Sequence, residues 1–66
     1  MKITLNGDCH DVADTLTLEM LLQANGFGGK RVAVEVNRQI IPRSMYSEHA
    51  IRTGDRIEIV HAIGGG

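Results

Sequence analysis

The sequence has few of the residues on which disulfide-bonded, membrane-spanning or nucleic-acid-binding proteins depend. Its 66 residues include one cysteine, one tyrosine, one phenylalanine and no tryptophan. A single cysteine excludes an intramolecular disulfide, and no signal peptide is recognisable, so we expect a cytoplasmic protein. No apolar run approaches the roughly 20 residues that a membrane-spanning helix requires. With a formal net charge of −1, we expect neither a nucleic-acid nor a membrane partner.

The composition is nevertheless that of a small globular domain. Hydrophobic residues make up 42% of the chain and charged residues 23%, which is an ordinary balance for a folded protein. A domain this short buries only about 60% of the surface that its unfolded chain exposes. Because aromatic residues are scarce, we expect a core of isoleucine, leucine, valine and methionine.

The first residues predict a β-hairpin. Residues 1–5 alternate apolar and polar, as in a strand with one buried face. Asn6-Gly7 then predicts a two-residue turn, because both central positions need positive φ. A second strand is expected over residues 8–13, with Ile3 opposite His10. Since a histidine is unfavourable on the core side, a bulge or a longer turn is an open alternative.

A helix follows the hairpin. Leu18, Leu21 and Leu22 recur with the helical period and share one face. Thr17 is a suitable N-cap, because its hydroxyl can accept a hydrogen bond from a free backbone N–H of the first turn. Gly26 can adopt the left-handed conformation that ends a helix.

The second half of the chain predicts three more strands. Residues 31–37 alternate with the valines inward, and a short strand at residues 39–41 ends before Pro42, which has no N–H for a sheet. Residues 43–52 are irregular, and the last strand covers residues 56–62. This order of elements packs one helix on a mixed sheet, which is an α+β arrangement.

The chain ends in Gly64-Gly65-Gly66, and two interpretations are open. Glycine disfavours order and has no functional group, so the segment can be a frayed end. It can also be a flexible arm that enters an enzyme channel, since glycine has no Cβ to block a close approach. ATP would then convert the terminal carboxylate of Gly66 into an adenylate, and sulfur would displace AMP. We expect residues 1–63 to form the domain and residues 64–66 the flexible tail.

Several stretches together resemble the ThiS family of sulfur carrier proteins. They are LNG near the start, TLEMLL in the helix, AVEVNRQIIPR after it and GDRIEIVHAIGGG at the end. The resemblance covers nearly the whole chain and implies a ubiquitin-like β-grasp fold, with a sheet of four to five strands on one main helix. It also implies that the first and last strands are central and parallel, and that Gly65-Gly66 is the family's terminal pair.

The resemblance further implies that this protein is a cosubstrate of thiamine biosynthesis and not an enzyme. A ThiF-type enzyme would adenylate the carboxylate of Gly66 with Mg-ATP, a persulfide would supply sulfur, and a ThiG-type thiazole synthase would accept it. No permanently bound cofactor is expected. The exposed sheet face near the last strand is expected to bind both partners, together with His61 and with the tail residues Ile63, Gly64 and Gly65.

Two other functions are alternatives. One is a sister carrier, similar to MoaD, that serves molybdopterin synthesis or another pathway. The other is a β-grasp interaction module with an inert glycine end. A metal site is disfavoured because Cys9 and His10 are strand neighbours that point to opposite faces. A catalytic thiol is disfavoured because no base that would activate Cys9 is identified. We therefore expect no catalytic residue and no metal ligand.

Overall fold

The computed structural model describes residues 1–61, which form one mixed sheet with one α-helix. The elements in chain order are β1 (Lys2–Leu5), β2 (Asp8–Asp11), α1 (Leu18–Ala24), β3 (Val32–Val36), β4 (Gln39–Ile41), a 3-10 helix (Arg43–Met45) and β5 (Arg56–His61). The strand order is β2-β1-β5-β3-β4, with β5 parallel to β1 and antiparallel to β3. This is the predicted α+β, β-grasp arrangement, including the parallel pair at the centre.

The first hairpin has the predicted register without a bulge. Leu5 lies opposite Asp8, and Ile3 lies opposite His10. Asn6 and Gly7 have φ values of 49° and 87°, as a two-residue hairpin turn requires. The core-side histidine is tolerated because β2 is an edge strand, where the side chain of His10 is only half-buried.

The helix begins and ends at the predicted residues. The hydroxyl of Thr17 accepts a hydrogen bond from the N–H of Met20 at 3.3 Å. Gly26 has φ 81°, and the N–H of Phe27 donates to the carbonyl of Leu22 at 2.8 Å, which closes a Schellman motif. Phe27 is thereby turned back toward the sheet. No helix in the part of the chain that the structure describes is long and apolar enough to cross a bilayer.

The core lies between the helix and one face of the sheet. Its buried side chains are Ile3, Leu5, Leu18, Leu21, Leu22, Val34, Val36, Ile51, Ile57 and Ile59. The expectation of methionine in the core is wrong: Met20 and Met45 are 47% and 45% exposed, and Met1 packs only at the margin. Ile51 is also part of the core, and its N–H donates to the carbonyl of Leu16, which holds the irregular segment against the start of the helix.

We expect the centre of the sheet to be sensitive to the loss of one methyl group. The side chain of Ile57 is fully buried, so Ile57→Val should lower the free energy of unfolding by about 0.5–1.5 kcal/mol. Ile40 is 73% exposed, so Ile40→Val should change it by less than about 0.5 kcal/mol. Urea titrations of both variants measure the difference. Equal effects would contradict this description of the core.

The N-terminal ammonium closes the open side of the first hairpin. It donates to the carboxylate of Asp14 at 3.0 Å, to that of Asp11 at 3.4 Å and to the carbonyl of Val12 at 2.6 Å. The hydrogen bond to Asp14 is the largest effect on the pKa of the α-amino group and raises it above 8.0. Desolvation opposes this rise, and Asp11 adds to it.

This ion pair predicts a pH dependence of stability. Because the pKa of the folded-state amine is raised, its contribution is fully present below pH 8.0 and is lost as the pH rises through the raised pKa. The difference in free energy of unfolding between the wild type and Asp14→Asn should therefore shrink from neutral to alkaline pH. Denaturant titrations across this range, with NMR titration of the α-amino group, test it. An α-amino pKa that is the same in both proteins would contradict the assignment.

Candidate functional site

Of the residues that the sequence assigns to the functional site, the structure describes only His61. Ile63, Gly64, Gly65 and Gly66 lie outside the described residues, and so does the predicted boundary between domain and tail. The structure instead defines how β5, the strand that leads toward those residues, is held. The candidate site is therefore the C-terminal part of β5 and the surfaces beside it.

Strand β5 has a different neighbour on each side along its length. It pairs with β3 throughout, from Val36 opposite Ile57 to Val32 opposite His61. With β1 it pairs only at its start, where Leu5 is the last partner and lies opposite Ile57. The C-terminal half of β5 thus extends past the end of β1.

Two asparagine side chains complete the hydrogen bonding of β5. The Oδ1 atom of Asn6 accepts from the N–H of Ile59 at 2.7 Å, two residues beyond Ile57, the last β5 residue that pairs with β1. The Oδ1 atom of Asn37 accepts from the N–H of Arg56 at 3.0 Å, at the start of the strand. Both asparagines lie in hairpin turns with positive φ, 49° and 51°. From the sequence, Asn6 is recognisable only as a turn residue.

The side of the sheet that faces away from the helix carries an exposed patch at this end of β5. Cross-strand partners share a face, which places Val60 beside Ala33, and Glu58 beside Glu35. Ile40 lies opposite Glu35 on its other side. Val60 and Ile40 are 59% and 73% exposed. We call these five residues (Ala33, Glu35, Ile40, Glu58 and Val60) the outer patch.

Neither carboxylate of the outer patch forms an ion pair within 4 Å with another residue of the described range 1–61. Glu35 and Glu58 are direct cross-strand neighbours, an arrangement of like charges that disfavours folding. Among residues 1–61, the ion pairs within 4 Å are those of the N-terminal ammonium. The outer patch is therefore an exposed surface of apolar side chains around two carboxylates.

On the helix side, aromatic contacts fix the end of β5. The rings of Phe27 and His61 lie 5.6 Å apart at an interplanar angle of 53°. Phe27 also lines a cleft of about 150 Å³ together with Lys30, Arg43 and Tyr46. The Tyr46 hydroxyl donates to the carbonyl of Val32 at 3.4 Å. Desolvation raises the pKa of Tyr46 above 10.0, and Arg43 acts in the opposite direction.

The residues that carry nucleophilic or metal-binding groups are dispersed. Cys9 is exposed on the edge strand β2, away from β5. Within residues 1–61, no three His, Cys, Asp or Glu side chains are arranged to hold a metal ion. What the described site offers is a firmly held strand between an exposed patch and an aromatic contact, which suits the presentation of the chain that follows it.

Comparison with known proteins identifies relatives over the whole length of the chain. The sequence model of the ThiS family matches residues 3–66. The sulfur carrier protein ThiS of Bacillus subtilis (strain 168) is 42% identical over 65 residues, which are 97% of this chain and 98% of that one. A crystal structure of the thiamine biosynthesis protein ThiS from Geobacter metallireducens superposes with a TM-score of 0.87, covers both chains fully and is 30% identical.

A much longer protein also contains a similar sequence. The thiazole synthase of Magnetococcus marinus is 46% identical over 66 residues, which are all of this chain but 20% of that protein. The chain thus spans about a fifth of the length of this relative.

Proposed function

Because the chain belongs to the ThiS family, we propose that it is a sulfur carrier whose reactive group is the carboxylate of Gly66. A ThiF-type enzyme transfers AMP from Mg-ATP to this carboxylate and releases pyrophosphate. The terminal sulfur of a persulfide attacks the acyl adenylate and expels AMP, which gives an acyl persulfide. A thiol then cleaves the S–S bond, forming a disulfide and leaving a thiocarboxylate on Gly66. A ThiG-type thiazole synthase accepts this sulfur for thiamine biosynthesis.

The observation that carries the proposal is that the sequence similarity to the ThiS family continues through the C-terminal glycines. The family match includes residues 64–66, and the fold is that of a solved ThiS structure at a TM-score of 0.87. Glycine suits a tail that is enclosed by a partner, since it has no Cβ to obstruct the channel. ATP and magnesium belong to the activating partner, so this chain is a cosubstrate. We place it in the cytoplasm, where the exposed thiol of Cys9 stays reduced.

The likeness to the Magnetococcus marinus protein supports a ThiG-type acceptor. A sequence similar to this chain occupies about a fifth of a polypeptide named thiazole synthase. A carrier-like unit and a protein of that name are thus joined in one chain, as two partners in one reaction sequence can be. We therefore propose thiazole synthase as the acceptor of the sulfur.

The outer patch is the proposed docking surface for the activating enzyme. A partner that encloses the chain after His61 must also cover the adjoining sheet face. Exposed apolar side chains such as Val60 and Ile40 gain from burial in such a contact. Glu35 and Glu58 can then pair with cationic groups of the partner and lose their mutual repulsion.

The first test is the chemical product. Incubation with a ThiF-type enzyme, Mg-ATP and a persulfide donor should increase the intact mass by the difference between sulfur and oxygen. Fragmentation should locate the change on Gly66. The control is the same chain with a histidine tag after Gly66, in which that carboxyl group is an amide and cannot be adenylated. An unchanged mass of the untagged protein, or an equal change in both, would rule out the proposed role.

A second test concerns the outer patch. Val60→Asp places a charge in the apolar part of the proposed contact, so the KM of the activating enzyme for the carrier should rise at least about tenfold. Met45→Asp is the control, because Met45 is similarly exposed but lies outside the patch. Carrier-dependent ATP–pyrophosphate exchange measures KM, and circular dichroism verifies that both variants are folded. The same KM for both variants would show that the enzyme binds elsewhere.

A further inference from the structure

The two asparagine contacts lie at different ends of β5: Asn37 holds the start of the strand, and Asn6 holds the part near its C-terminal end. Asn37 bonds the N–H of Arg56, the first residue of the strand. Asn6 bonds the N–H of Ile59, immediately before Val60 and His61. Within residues 1–61, the contact of Asn6 is therefore the last one on the β1 side of β5.

The geometry shows what this contact replaces. The N–H of Asn6 donates to the carbonyl of Ile57 at 2.9 Å, and in the described part of the chain this is the last backbone bond that the β1 side gives to β5. The chain then turns away at Gly7, which has φ 87°. The amide of Ile59 would lack a strand partner there, and the side-chain oxygen of Asn6 takes the place of the missing backbone carbonyl at 2.7 Å.

The turn alone does not require an asparagine at this position. A φ of 49° is open to glycine, and aspartate tolerates it nearly as well as asparagine. Glycine would keep the turn but could not bond Ile59, whereas aspartate would keep both. The acceptor on the side chain therefore has a role of its own, which can be separated from the role of the turn.

We propose that Asn6 is a positioning residue for the activation of the carrier. By holding Ile59, it fixes the point at which the chain leaves the sheet beside the outer patch. This inference rests on the function proposed above. When the contact is lost, pairing with β3 still holds Val60 in the outer patch, but the end of β5 is secured on one side only.

The expected kinetic effect follows because docking and positioning of the chain end depend on different parts of the structure. Docking depends on the outer patch, so KM for the carrier should change little. Delivery of the terminal carboxylate to ATP depends on where the chain leaves the sheet, and looser delivery lowers the fraction of bound carriers in a reactive position. The turnover number kcat at saturating carrier should therefore fall.

Three variants test the proposal. Asn6→Gly should lower kcat for adenylation about tenfold at nearly constant KM, and should speed hydrogen exchange of the Ile59 amide. Asn6→Asp should restore both to nearly wild-type values. Asn37→Gly removes the corresponding bond at the start of β5, and also the bond from the Asn37 Nδ2 atom to the carboxylate of Asp55, yet it should leave kcat unchanged. Pyrophosphate release and amide exchange by NMR are the measurements, made where all proteins are folded.

Each outcome decides between a positioning role and a structural one. A normal kcat for Asn6→Gly, with faster exchange at Ile59, would overturn the inference and leave the proposed function intact. An equal fall in kcat for Asn37→Gly would overturn it as well, because general stability of β5 would then explain the loss. If the wild-type protein is not adenylated at all, the proposed function fails and this inference fails with it.

Discussion

The structure depends on the placement of β5 at the centre of the sheet. Ile57 and Ile59 fill the core on one face, while Glu58 and Val60 remain exposed on the other. The strand must therefore be buried, to stabilise a small domain, and must still end at the surface, where the rest of the chain continues. Parallel pairing with β1 at its start and antiparallel pairing with β3 along its whole length satisfy both demands.

This solution leaves the β1 edge of β5 without a full-length neighbour, and the side chain of Asn6 accepts a hydrogen bond there. Asn37 makes a similar contact at the start of the strand, on the β3 side. Asn6 and Asn37 each turn the chain with positive φ and each accept a hydrogen bond from a β5 amide. One residue type thus serves both local and long-range structure. Asparagine is suited to this, because it tolerates the left-handed conformation and carries a carbonyl group that resembles that of the backbone.

The local elements could be predicted from the sequence because their causes lie within a few residues. Asn6-Gly7 set the hairpin register, and Thr17 and Gly26 set the ends of the helix. The contact between Asn6 and Ile59 joins residues 53 positions apart and leaves no periodic pattern, so it required the structure. The same holds for the tilted contact between the rings of Phe27 and His61. The role of the tail residues rests on the chemistry of a glycine end and on the family resemblance, and these residues lie outside the described part of the chain.

Docking at the outer patch, as proposed above, would explain why the protein retains an unfavourable pair of like charges. Opposed glutamates at positions 35 and 58 reduce the stability of a domain that has little to spare at 66 residues. Replacing one of them would stabilise the isolated protein, but the pair would lose its complementarity to a cationic partner surface. Under the proposed function, the residues on the exposed face of the sheet serve partner binding, and those on the face that packs against the helix serve folding. Because the two faces share β5, its fixed position allows both requirements to be met by so short a chain.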